Sequence, residues 1–84
     1  MPPMTSEDRE RFVKLLHAKL ENSRVMIRQV RGDFMKNIKT AFEKKEITED
    51  DRFAFEKKLQ GLTDEYIGKI DERGKAKESE LRQV

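Results

Sequence analysis

The feature that most constrains this fold is a helical pattern that runs without a break through the first half of the chain. Between residue 6 and about residue 45 there is no proline, and Gly32 is the only glycine. Apolar or small residues recur at the average spacing of an α-helix, about 3.6 positions. They are Phe12, Leu16, Leu20, Ser23, Ile27, Val30, Phe34, Ile38 and Ala41. About forty residues of helix would measure about 60 Å, roughly twice the width of a compact domain of this size. The pattern therefore predicts an elongated helical bundle.

A second helical pattern follows a short polar link at residues 46–48. Thr48 is followed three residues later by Asp51, which resembles a capping box, and Ile47 occupies the position of a hydrophobic staple. The apolar seam of the second helix, over about residues 49–82, is predicted at Phe55, Leu59, Leu62, Tyr66, Ile70 and Leu81. Two helices joined by a short link form an antiparallel αα-hairpin. We therefore predict one all-α unit over residues 1–84, in which residues 1–5 lead into the first helix at about 6–45.

Apolar side chains outside these seams indicate that a hairpin alone is incomplete. Leu15, Val25 and Met26 point away from the seam of the first helix, and Phe53 lies outside the seam of the second. A two-helix hairpin buries only one stripe on each helix. We expect a third helix, a second copy of the chain or another partner to cover the remaining face.

Composition restricts the classes of protein to which the chain can belong. Hydrophobic residues make up 35% of the 84 residues and charged residues 43%, so the core must be thin. There is no cysteine, which excludes a disulfide or a thiolate metal site. No run of about 18 apolar residues is present, and residues 1–5 lack the apolar stretch of a secretory signal. We expect a cytoplasmic protein without a membrane span.

The residues that carry catalysis in other proteins are sparse here. His17 is the only histidine, and no set of side chains is spaced for a metal. The acidic pairs at residues 50–51 and 71–72 would lie on an open hairpin without a pocket, and no phosphate-binding loop or nucleophile motif is present. We therefore expect no enzyme activity, no cofactor and no metal site, and a surface position for His17.

Charge is distributed unevenly along the chain. Residues 5–45 hold eleven Lys or Arg and six Asp or Glu, a net charge of +5, whereas residues 46–84 hold eight and eleven, a net charge of −3. Arg24, Arg28 and Arg31 share one face of the first helix, beside its seam. They form either an anion-binding surface or an ordinary solvated stripe. Because aromatic residues do not alternate with the basic ones, structured RNA is a better match than a single strand.

Several stretches, in order over nearly the whole chain, carry a family resemblance. They are residues 2–9 (PPMTSEDR), 23–33 (SRVMIRQVRGD), 46–51 (EITEDD) and, in the second helix, 62–64, 67, 69–71 and 77–78. Together they resemble bacterial ribosome recycling factor. In that family the first stretch leads back into a long helical domain, the second corresponds to A-R-V-x-x-R-x-x-R-R-D, the third is the turn between helices, and the others belong to the last helix.

The resemblance implies a tRNA-shaped cytoplasmic protein of two domains. Its three-helix bundle would bind the large ribosomal subunit, and a smaller β-rich domain would act with elongation factor G to split post-termination ribosomes. By resemblance, Arg28 and Arg31 are the arginines that face rRNA. Arg9 occupies another basic position that the family uses for rRNA contact, and Arg24 also matches the pattern.

The chain also departs from the family pattern. The first helix of the bundle and the small domain are not among these 84 residues, which leaves two helices of three. Gly32 replaces an arginine, and Gly74 stands where the family usually has a leucine of the bundle, so we expect a loss of packing there.

Two hypotheses remain open at this point. In the first, the chain is part of a ribosome recycling factor that binds rRNA weakly and does not recycle ribosomes alone. Alternatively, it is a natural or engineered helical-hairpin scaffold derived from that bundle. Such an interaction module would form a homodimer through the uncovered apolar face or bind a protein partner.

Overall fold

A computed structural model describes residues 5–83 and shows two long helices joined by a short turn. Helix α1 spans Ser6–Glu43 and helix α2 spans Glu49–Arg82. The two helices run antiparallel and form a rod of 65 × 15 × 14 Å. The predicted all-α hairpin is confirmed. Of the predicted leading segment, residues 1–4 lie outside the described residues.

Both helices begin at a threonine that caps the first turn. The Thr5 hydroxyl accepts a hydrogen bond from the Asp8 backbone N–H at 3.1 Å. The Thr48 hydroxyl accepts from the Asp51 N–H at 3.1 Å, and the Thr48 N–H donates to the Asp51 carboxylate at 3.2 Å. These reciprocal bonds form the capping box that the sequence predicts. Local chemistry thus sets where α2 begins.

Helix α1 ends at Glu43, two residues before the predicted boundary. The Lys45 N–H donates to the Phe42 carbonyl at 3.0 Å, and the Glu46 N–H donates to the Ala41 carbonyl at 2.9 Å. This pair of bonds is a Schellman motif, in which the residue after the cap adopts a left-handed conformation. Lys45 does so, with a φ of 62°. Glycine usually occupies that position, and its absence here hid the helix end from sequence analysis.

The contact between α1 and α2 uses only part of the predicted apolar seams. Val13, which was not among the predicted seam residues, is buried. Of the predicted residues, eight are half-buried: Leu16, Leu20, Ile27, Ile38, Ala41, Leu59, Ile70 and Leu81. The other predicted seam residues are largely exposed. They are Phe12, Ser23, Val30, Phe34, Phe55, Leu62 and Tyr66. Arg24 and Arg31, which were expected beside the seam, are half-buried within it. The helices are therefore rotated from the predicted packing, towards the arginines.

Gly74 is the point at which α2 makes room for a side chain of α1. The glycine is buried, and a Cβ atom added to it would lie 2.5 Å from Leu20 Cδ1. Leu20 thus occupies the space that a larger residue at position 74 would fill. The expected loss of packing is wrong in this structure, because Leu20 compensates for the missing side chain. Gly32, Gly61 and Gly68 face open space.

Six of the exposed apolar residues form a continuous hollow along one side of the seam. We call this hollow the apolar groove and define it by Met26, Val30, Phe34, Phe55, Leu62 and Tyr66. Each of these side chains is at least 43% exposed. The chain exposes 7031 Å² in all, whereas a compact monomer of its 10.0 kDa mass would expose about 5,200 Å². Neither described helix is long and apolar enough to cross a membrane.

Candidate nucleic-acid interface

The other side of the seam carries a hollow of different chemistry. We call it the polar cleft, and its lining residues are Arg28, Arg31, Gln60, Thr63, Asp64 and Ile67. Arg31 and Thr63 line both the polar cleft and the hollow on the apolar side, so they stand at the seam between the two. Two arginines from α1 therefore face an amide and a carboxylate from α2.

Arg28 offers the more accessible guanidinium of the cleft. Its side chain is 57% exposed, and its contact with a carboxylate is long, at 3.8 Å between Nη1 and Glu21 Oε1. An exposed ion pair at that distance contributes little, because water screens it. The donors of Arg28 are thus available to an anion from solution.

Arg31 is held more firmly and is not neutralised by an acid. Its Nε donates a hydrogen bond to Gln60 Oε1 at 2.8 Å. Within residues 5–83, no carboxylate oxygen lies within 4 Å of this guanidinium. The partner is a neutral amide, so the positive charge is fixed in place without being compensated by direct contact.

Arg24 is bonded differently from Arg28 and Arg31, which lie on the same face of α1. Its side chain is only 24% exposed, its Nε donates to Asp71 Oδ1 at 2.8 Å, and its Nη1 donates to Glu21 Oε2 at 3.1 Å. The hydrogen bond with Asp71 raises the pKa of Arg24 above its usual value, although desolvation opposes the shift. Most donors of Arg24 are therefore engaged within the hairpin, where they join α1 to α2.

Arg9 lies too far away to share a phosphate with the polar cleft. It is half-buried in the first turn of α1, where its backbone N–H donates to the Thr5 carbonyl at 2.9 Å. The rise of an α-helix places Arg9 about 28 Å from Arg28 along the axis. The structure thus brings Arg28 and Arg31 together and leaves Arg9 as a separate position.

Sequence analysis missed the contribution of α2 to this site. Gln60 and Asp64 are four residues apart, so they share a helix face, and the Gln60 amide donates to Asp64 Oδ1 at 2.9 Å. That spacing was the available signal. His17, predicted at the surface, is exposed and its Nε2 lies 2.7 Å from Glu78 Oε1. Among the residues that the structure describes, no cluster of side chains could hold a metal.

Comparisons with known proteins identify the family. The family model described as "Ribosome recycling factor" matches residues 1–81. The ribosome-recycling factor of Thermomicrobium roseum is 42% identical over 84 residues, which is 100% of this chain and 45% of that protein. The ribosome-recycling factor of Psychrobacter sp. is 45% identical over 84 residues, covering 100% of this chain and 46% of the relative. That of the Wolbachia of Brugia malayi is 46% identical over 81 residues, covering 96% and 44%.

These matches agree with the motif resemblance and extend over almost all of the sequence. The chain spans less than half the length of the curated relatives it matches. Given the family match over residues 1–81, the chain belongs to the ribosome recycling factor family.

Proposed function

We propose that this chain is the rRNA-binding helical part of a ribosome recycling factor, with Arg28 and Arg31 as its principal phosphate contacts. The observation that carries the proposal is the polar cleft, where one exposed guanidinium and one amide-held guanidinium stand a single helical turn apart. One guanidinium group can donate two parallel hydrogen bonds to the oxygens of a phosphate. The polyanion that the family name implies is rRNA.

The other two predicted rRNA contacts, Arg9 and Arg24, have supporting roles in this proposal. Arg9 contacts a second segment of rRNA, about 28 Å along α1 from the cleft. Arg24 acts chiefly from the seam, because its bonds to Asp71 and Glu21 hold α1 in register with α2. Glu21 also faces Arg28, so Arg24 draws that carboxylate towards the seam and away from the exposed arginine.

Ribosome splitting itself requires more than these 84 residues. The relatives are more than twice as long as the matched region. We propose that the segments outside it engage elongation factor G, and that the hairpin supplies affinity for the large subunit in the cytoplasm. No catalytic step is assigned to the hairpin.

Binding to large-subunit rRNA tests the proposal directly. The variant Arg28→Ala/Arg31→Ala should bind about a hundredfold more weakly than the wild type, because hydrogen bonds between charged groups contribute about 1.5 kcal/mol or more each. The matched control is Lys14→Ala/Lys36→Ala, which removes the same charge from exposed positions on the same helix. We expect the control to lose at most a fewfold in affinity. Equal losses of rRNA affinity in the two variants would show that Arg28 and Arg31 contribute only nonspecific positive charge, which would contradict the proposal.

The apolar groove favours a second candidate function, self-association. The chain exposes about 1,800 Å² more than a compact monomer of its mass. A standard interface buries about 800 Å² on each partner, and the six exposed side chains of the apolar groove supply apolar surface towards one. We propose that the 84-residue chain pairs with a second copy, groove against groove, to form a four-helix bundle. Sedimentation at several concentrations should show a dimer, and a monomer mass at every concentration would contradict it.

A further inference from the structure

Within the polar cleft, Gln60 lies between Arg31 and the Asp64 carboxylate and hydrogen-bonds to both. Its Oε1 accepts the hydrogen bond from Arg31 Nε at 2.8 Å, and its Nε2 donates to Asp64 Oδ1 at 2.9 Å. Asp64 lies one turn further along α2 and is exposed. The three side chains form a relay from the acid through the amide to the guanidinium.

The relay permits only one orientation of the amide. An ionised Asp64 can only accept hydrogen bonds, and the Arg31 guanidinium can only donate them. The Gln60 side chain therefore has to direct its NH₂ group to Asp64 and its carbonyl oxygen to Arg31. These two hydrogen bonds restrict the rotation of the Gln60 side chain, so the amide supports the guanidinium in one orientation.

The support occupies one edge of Arg31 and leaves the others for a ligand. A guanidinium has five N–H donors, of which Nε carries one. Because Gln60 takes the Nε donor, the donors of the two Nη nitrogens remain for a bidentate contact. Arg24 shows the contrasting arrangement, since Asp71 accepts from both Nε and Nη2 and neutralises the charge by direct contact.

We infer that Gln60 is a positioning residue for phosphate recognition by Arg31, which fixes the guanidinium while leaving its charge uncompensated. This inference rests on the proposed rRNA binding. It assigns a specificity-determining role to a neutral residue on the helix that carries the net negative charge. A carboxylate at position 60 would accept the same hydrogen bond and would convert the Arg31 site into a second internal ion pair.

The variant Gln60→Glu tests the inference. We expect affinity for large-subunit rRNA to fall about tenfold, and the dependence of log affinity on log salt to become shallower by about 0.7 to 0.9, the contribution of one phosphate contact. The matched control is Gln29→Glu, which makes the same change at an exposed position beside Arg28 in sequence. The control should lose no more than about twofold.

Two further variants separate positioning from simple charge or structure. Gln60→Leu removes the support but keeps the Arg31 charge, so affinity should fall a fewfold with the salt dependence unchanged. In an Arg31→Ala background, Gln60→Glu should cost no more than the Gln29→Glu control, because the group that it neutralises is gone. Thermal unfolding of each variant shows that the binding differences arise in folded protein.

The possible outcomes distinguish this inference from the proposed function. If Arg28→Ala/Arg31→Ala loses binding but Gln60→Glu behaves like Gln29→Glu, the positioning role is overturned and the rRNA site stands. If Gln60→Glu costs as much without Arg31 as with it, the effect is charge alone, and the inference is again overturned. If Arg28→Ala/Arg31→Ala binds as the wild type does, both proposals fail.

Discussion

The two sides of the helix–helix seam have opposite chemistry although they share Arg31 and Thr63. The polar cleft presents guanidinium, amide and carboxylate groups, whereas the apolar groove presents side chains such as Met26, Phe34 and Tyr66. A two-helix hairpin necessarily has two grooves, one on each side of its contact. In this chain one groove carries two guanidinium groups and the other is apolar, and the two proposals assign a different partner to each.

The difference has a measurable physical signature. Contacts between arginines and phosphates weaken as salt rises, because counterions compete for the same charges. Burial of apolar surface is non-directional and contributes about 25 cal/mol for each Å² removed from water. Salt therefore separates the functions of the two sides, and variants on one side should leave the other side unaffected.

The largest effect is expected from polar substitutions in the apolar groove. The variant Phe34→Gln/Leu62→Gln should weaken self-association by more than about a hundredfold, because a buried large apolar side chain contributes about 1.5 to 3 kcal/mol. Sedimentation measures the change. Both side chains are about half exposed in the monomer, so the hairpin should remain folded.

The matched control for the groove is Phe53→Gln. Phe53 is an aromatic residue with 65% exposure that lies outside the groove. The control should associate as the wild type does. If Phe53→Gln disrupts association as strongly as the groove variant, the interface lies elsewhere on the surface.

An intermediate effect is expected at the arginine that joins the two helices. Arg24→Met removes the bonds to Asp71 and Glu21 and leaves the Asp71 carboxylate half-buried without its cation, so the melting temperature should fall. Affinity for rRNA, measured well below that temperature, should change less than about threefold. Arg28→Met should show the reverse pattern, with an unchanged melting temperature and weaker binding. If the two substitutions weaken rRNA binding equally, Arg24 and Arg28 do not differ in their contribution to binding, and the separate structural role of Arg24 is contradicted.

The smallest effect concerns two glycines of α2, of which Gly61 faces open space and Gly74 lies against Leu20 in the seam. Because an added Cβ at position 61 would meet no other atom, Gly61→Ala should raise the free energy of unfolding by about 1 kcal/mol through helix propensity. Gly74→Ala gains the same propensity but forces Leu20 out of its place, so it should lower the free energy of unfolding by about 1 kcal/mol. Denaturant unfolding of the two variants provides the comparison. A gain of similar size at both positions would show that Leu20 repacks freely.

Local features of the fold could be predicted from the sequence because their causes are local. The helical repeat in residues 6–45 and the pairing of Thr48 with Asp51 depend on neighbours within one turn, and both are present. The end of α1 was predicted too late, because Lys45 takes the left-handed conformation that usually signals glycine. The two backbone hydrogen bonds that close the last turn of α1 accompany this conformation, although lysine does not favour it.

The rotation of the helices could not be predicted because each helix is apolar over a wide arc. Val30 and Leu62 fit a mutual seam as well as they fit an exposed groove, and periodicity does not distinguish the two. The pairing of residues across the hairpin would have indicated how the helices are rotated. Arg24 lies 22 residues before the predicted link at 46–48 and Asp71 lies 23 residues after it, so the antiparallel hairpin brings these opposite charges close together. For Gln60 the only signal was its four-residue spacing to Asp64, and an amide does not stand out in a row of charges.

The salt dependence of rRNA binding tests most directly whether the polar cleft, and not the apolar groove, contacts the ribosome. The slope of log affinity against log salt should be the same for the wild type and for Phe34→Gln/Leu62→Gln. For Arg28→Ala/Arg31→Ala we expect a slope shallower by about 1.4 to 1.8, the contribution of two phosphate contacts. A wild-type slope in the double arginine variant, or a changed slope in the groove variant alone, would contradict this assignment of the two sides.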